Sequence, residues 1–92
     1  MWLLTENNVL INLKNCNYLM VERENYQCNG VVKFIENGPI YLKVYFNEET
    51  IIVLSSKNMD FVWESLSHIE EYISESIEIC DINNFIMNYN KN

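Results

Sequence analysis

Over its first half the chain places apolar residues at every second position, and from Met59 onward they recur every three or four. Residues 2–5, the polar break Glu6-Asn7-Asn8 and residues 9–13 predict a hairpin, because asparagine tolerates left-handed turn angles. Lys14-Asn15-Cys16-Asn17 then separates a third strand at residues 18–24. Residues 24–29 read as a loop, and Gly30 supplies a backbone angle closed to other residues before a strand at 31–36. Asn37-Gly38-Pro39 is the strongest punctuation in the chain and predicts a central hairpin of residues 31–36 with residues 40–46.

That returning strand sets Ile40, Leu42, Val44 and Phe46 on one face and Tyr41, Lys43 and Tyr45 on the other. Asn47-Glu48-Glu49 turns the chain into the β-branched stretch 50–54. The sum is an antiparallel meander of five or six strands with one face in need of cover. After residues 55–58 the period changes to that of a helix, with Met59, Val62, Leu66, Ile69 and Ile73 on one stripe. Asn58 or Ser56 caps its first amides, and Asp60 suits the positive end of the helix dipole. The predicted class is α+β, one domain over residues 1–92, with an amphipathic helix covering the meander.

No Gly or Pro follows Pro39 to mark where this helix ends. An unbroken helix would swing Ile79, Ile82, Ile86 and Tyr89 away from the core, so a break is expected near residues 76–81. Beyond it lies either a short helix capped by Asp81, with Ile82, Phe85, Ile86 and Tyr89 at helical spacing, or a short strand at 77–82. The last three residues are expected to fray.

Charge sharpens this outline. The net charge is -7, and seven of the 13 acidic residues lie between Asp60 and Asp81. On a helix, Asp60, Glu64, Glu71, Glu75 and Glu78 fall within roughly 60° of one another, opposite the apolar stripe. Lys14, Arg23, Lys33, Lys43 and Lys57 are scattered, which argues against direct binding of nucleic acid. The ridge instead predicts contact with a protein carrying a basic surface, including imitation of a nucleic acid backbone. Its bland alternative is a solvated helix face. Tyr41, Lys43 and Tyr45, exposed together, form a second candidate protein contact, either to a partner or within a homodimer.

Other chemistry finds little purchase. His68 is the only histidine, with no partner motif for metal or acid–base work, and reads as a helix-boundary residue. Cys16, Cys28 and Cys80 are odd in number and lack CxxC spacing, which suits free thiols in a reducing compartment. Parallel carboxylates on one helix lack both the convergence a metal needs and the cleft a glycosidase needs. Gly30 and Gly38 do not form a phosphate loop. No cofactor, no metal and no catalytic residue is expected, and with no membrane-length apolar run the chain is placed in the cytoplasm.

Trp2-Leu3-Leu4-Thr5 followed by Leu10-Ile11-Asn12-Leu13 resembles the opening of small uncharacterised proteins of Gram-positive bacteria and their phages or other mobile elements. The resemblance implies no active-site residue. It makes a host-directed inhibitor of a nucleic-acid-binding protein, such as a CRISPR effector, one form of the predicted noncatalytic binding role. A structural homodimer or a housekeeping interaction domain is the alternative.

Overall fold

The computed structural model describes residues 1–90. Its first hairpin forms at the polar tip. Strand β1 (Trp2–Leu4) runs antiparallel to β2 (Leu10–Asn12), with Leu3 opposite Ile11. The Thr5 hydroxyl accepts the Val9 N–H at 3.0 Å, and Asn8 takes the left-handed angle (φ 64°). A 3-10 turn at Leu13–Asn15 then redirects the chain, and β3 (Tyr18–Arg23) leaves β2 behind.

The central hairpin does not form as the punctuation predicts. β4 (Asn25–Cys28) pairs with β5 (Val31–Phe34) across a two-residue turn, Asn29-Gly30, with φ 52° and 78°. Two consecutive positive φ angles define the type I′ turn, whose twist matches that of flanking strands. Asn37-Gly38-Pro39 instead belongs to a bulge. The Gly38 N–H donates to the Ile35 carbonyl at 3.2 Å with Asn37 at φ 60°, which closes a local turn, and Pro39 has no N–H to give a ladder. Glu24 bridges this bulge, donating to the Pro39 carbonyl (3.1 Å) and accepting from the Ile35 N–H (2.9 Å). β6 (Ile40–Tyr45) therefore pairs with β3, Tyr18 opposite Tyr45, and not with residues 31–36.

β7 (Thr50–Ser56) runs antiparallel to β6 and slips register beside Leu42 and Lys43, so that Val53 and Leu54 are both buried. The bulge has a use: the Val53 carbonyl accepts the Glu6 N–H at 2.8 Å, joining the first hairpin to this sheet. The single five- or six-stranded meander is thus overturned. Eight strands among the described residues form three sheets, ordered β2-β1-β8, β3-β6-β7 and β4-β5. A meander pairs each strand with the next, whereas here β1 takes its second partner, β8 (Ile79–Asp81), in parallel from the far end of the chain.

Helix α1 (Met59–Ser74) is capped by Asn58, whose side chain accepts the Phe61 N–H at 3.2 Å. Val62, Leu66 and Ile69 are buried against the sheets, joined by Phe61, which the stripe did not include; Ile73, which it did, is exposed. Burying each such side chain is worth about 1.5–3 kcal/mol. Phe61 is recruited by α2 (Ile82–Asn90), where Tyr89 lies 4.8 Å and Phe85 6.0 Å away between ring centres. The C-terminal segment is a strand followed by a helix, where the sequence offered one or the other; Asp81 caps the helix through the Asn83 N–H at 3.0 Å. Of the residues expected to fray, those after Asn90 lie outside the described residues.

The end of α1 is a Schellman motif without glycine. The Ser76 N–H reaches the Ile73 carbonyl and the Ile77 N–H reaches that of Tyr72, both at 3.1 Å, with Ser76 held at φ 57°. A side chain there carries the left-handed penalty of about 1–2 kcal/mol. Ser76→Gly is therefore expected to stabilise the chain by about 1 kcal/mol, and Ser76→Val to destabilise it, in urea denaturation.

Candidate functional site

The β4–β5 hairpin is the distal half of a long arm that begins with β3 and returns through β6. The Glu24 bulge shifts the pairing within it, from Cys28 opposite Val31 and Asn25 opposite Phe34 to Arg23 opposite Ile40. All eight residues of β4 and β5 are exposed. Register places Asn25, Gln27, Val32 and Phe34 on one face of the arm. In the crook between that face, β3 and the start of α1 lies an open groove of about 600 Å³, lined by Met20, Val21, Val32, Phe34, Met59 and Trp63 together with Glu22, Arg23 and Asn25. Phe34 remains 63% exposed and Trp63 51%.

Four consecutive residues of β3 border the groove. Successive side chains of a strand point to opposite faces, and of these four Val21 and Arg23 share the face on which Leu42 and Ile40 are buried. β3 is the outermost strand of its sheet, with β6 as its one neighbour. At its far end the Asn25 side chain donates to the Arg23 carbonyl at 3.1 Å.

The predicted Tyr41, Lys43 and Tyr45 face exists, but β3 turns it inward on itself. Glu22 salt-bridges Lys43 at 3.0 Å, and the Tyr45 hydroxyl donates to its other carboxylate oxygen. Tyr45 stacks on Tyr18 with ring centres 4.7 Å apart, and the Lys43 ammonium sits 5.3 Å from the centre of the Tyr41 ring. All three residues are half-buried. The hydrogen bond from Tyr45, with the Lys43 contact added, holds the Glu22 carboxyl below its ordinary range, and the same bond pushes Tyr45 up to about 12.

The acidic ridge is shorter than the spacing predicts. Asp60, Glu64 and Glu71 are exposed on α1, but Glu75 is the residue that caps its C-terminus and Glu78 lies past the Schellman turn. Helical spacing therefore relates only the first three. No Lys or Arg occurs in α1, and among the described residues the single ion pair is Glu22–Lys43. His68 lies between aromatic rings, 4.6 Å from Phe85 and 4.5 Å from Tyr72. Cys80 is fully buried and its thiol is pushed up to about 11, chiefly by burial, while burial also raises Cys16. Among the described residues no three His, Cys, Asp or Glu side chains converge as metal ligands, and no helix is long and apolar enough to cross a membrane.

Comparison with family models, curated proteins and solved structures yields no significant match. The likeness of the opening residues gains no support from it. Nothing in the spacing of Met20, Val32, Phe34, Met59 and Trp63 along the chain marks them as a group. The available signal was Asn29-Gly30 flanked by residues of strand character, a stronger two-residue hairpin mark than Asn37-Gly38-Pro39.

The Glu22 network makes a signed prediction. The stability that its carboxylate contributes is present above the ordinary Glu value of 4.5 and is lost as pH falls through the lower folded value. The stability that the Tyr45 hydroxyl contributes is present below pH 10 and is lost as pH rises toward about 12. Glu22→Gln is expected to lower stability by about 1 kcal/mol at neutral pH. The urea midpoints of the two proteins should draw together below pH 4.5 and between pH 10 and 12.

Proposed function

We propose that this chain is a noncatalytic protein-binding module whose contact surface is the groove between the β4–β5 arm, β3 and the first turns of α1. The observation that carries this reading is the convergence of exposed Met20, Val32, Phe34 and Trp63 on one concavity, with Met59 between them and the core. Large apolar side chains scattered singly over a surface need no explanation, whereas a contiguous set with a polar rim is characteristic of interaction sites. Trp and Phe supply large contact area from few rotatable bonds, and Met adapts its shape to what it meets. Asp60 and Glu64 are exposed on the same first turns of α1 that supply Met59 and Trp63. Such a surface suits a basic protein, including one whose cations otherwise contact nucleic acid.

Phe34→Ser and Trp63→Ser are expected to lower partner retention by at least about tenfold in affinity capture with quantitative mass spectrometry. Leu10→Ser, a control on the exposed first sheet, should leave it unchanged. Glu64→Lys should slow association and flatten its dependence on salt. The same retained proteins with all four chains would exclude the groove as the contact.

A further inference from the structure

We propose that what enters the groove is an apolar segment of another protein carrying a single Asp or Glu, whose carboxylate is held by Arg23 while its apolar neighbours rest on Phe34 and Trp63. This rests on the binding role proposed above and goes further, in naming the charge and the kind of side chain that the groove accepts.

Arg23 is the only arginine of the chain, and its strand sets it among the apolar residues of the recess. The backbone of Glu24 donates to Pro39 and accepts from Ile35, both on the side of β6 and β5, so the chain runs on from β3 into β4 without changing face. Alternation then places Arg23 between Val21 and Asn25, on the face that Phe34 shares, and all four line the groove together with Met59 and Trp63. Glu22 and Glu24, its neighbours in sequence, fall on the opposite face.

Nothing in the groove balances this charge. Among the described residues the one ion pair is Glu22–Lys43, and the other oxygen of Glu22 is taken by Tyr45. Asn25 directs its side-chain amide to the Arg23 carbonyl at 3.1 Å. Asp60 and Glu64 do not line the groove, so they act on what flanks an inserted segment and not on what enters. In the free chain, water solvates the exposed guanidinium. A partner that covers Phe34 and Trp63 removes that water, and a charge left without a counter-ion under an apolar cover is strongly unfavourable. The partner must therefore bring the anion.

Chemistry and shape narrow that anion. A guanidinium meets a carboxylate through two parallel hydrogen bonds. A phosphate group fits the same fork but brings about twice the negative charge toward a chain of net charge -7, and its recognition ordinarily draws on a cluster of Arg where this groove has one. A free fatty acid would be covered on one side only, because the groove is open and Phe34 and Trp63 stay exposed, whereas small-molecule sites enclose most of their ligand. A protein segment brings its own cover. Two copies of this chain, each at -7, repel one another, which disfavours a second copy as the occupant.

The test follows the full chain by heteronuclear NMR through the side-chain N–H signals of Arg23 and Trp63, with that of Trp2 in β1 as the internal control. The probe is a short peptide, capped at both ends, with leucines around one glutamate. Saturable shifts of both groove signals are expected, with Trp2 unmoved. The glutamine counterpart should bind about tenfold more weakly, and the lysine counterpart more weakly still. Arg23→Gln, a change at an exposed position, should keep the urea midpoint of the unaltered chain and bind the glutamate and glutamine peptides alike. Arg23→Glu should favour the lysine peptide. Equal binding of the glutamate and glutamine peptides by the unaltered chain overturns the carboxylate site and leaves the groove as a purely apolar contact. Absence of any Trp63 shift with all the peptides overturns the groove reading itself. Tighter binding of a phosphoserine peptide or of dodecanoate would reassign the anion and overturn the proposal, as would sedimentation of the free chain as a dimer that Arg23→Glu dissociates.

Discussion

The register of one arm, set by the left-handed pair Asn29-Gly30, governs most of what this surface offers. With those two residues at φ 52° and 78°, Cys28 must face Val31 and Phe34 must face Asn25. Continuing that pairing inward would place Arg23 opposite Glu36, on a chain that reaches Pro39 soon after and has no amide hydrogen there to donate. The chain resolves the conflict by looping out residues 35–39 against Glu24 and resuming the ladder at Ile40. The slip amounts to four residues, an even number, so Leu42 and Val44 keep the face that α1 covers, while Val32 and Phe34 on the distal arm stay exposed.

A second slip ties the separate sheets together. Inserting Val53 into β7 puts two successive residues into the core and turns one carbonyl toward Glu6. On the far side, the Asn83 side chain donates to the Thr5 carbonyl at 3.1 Å. The short strand β1 is thereby pinned by the bulge on one side and by the start of α2 on the other, while Leu3 packs with Cys80 and Ile82 in the shared core. Three small sheets would each be marginal alone, since a two- or three-stranded piece buries little. Here one apolar cluster draws on both three-stranded sheets and α1, and the β4–β5 hairpin is the piece left outside it.

Much of the local structure was legible in the residues themselves. The Thr5 to Val9 turn, the Asn58 cap and the core positions Val62, Leu66 and Ile69 follow from rules that act within a few residues. The failures all involve choices between distant partners. Which of two Asn-Gly turns closes a hairpin depends on what the flanking strands find to pair with, and β1 finds β8 from the opposite end of the chain. The helix end at Ser76 was also hard to see, because a serine occupies the position where glycine ordinarily announces itself. With that end unplaced, Glu75 and Glu78 were counted on a helical ridge they do not share.

The two candidate surfaces read from sequence differ from the observed groove in a physically instructive way. Lys43 and Tyr45 have polar groups that β3 can satisfy, and Glu22 does so. Carboxylates on α1 are satisfied by water. Phe34 and Trp63 have no such recourse: their exposed rings gain only when another apolar surface excludes water from them. The proposed contact therefore rests on the apolar recess, and the carboxylates of α1, which water satisfies, are secondary to it.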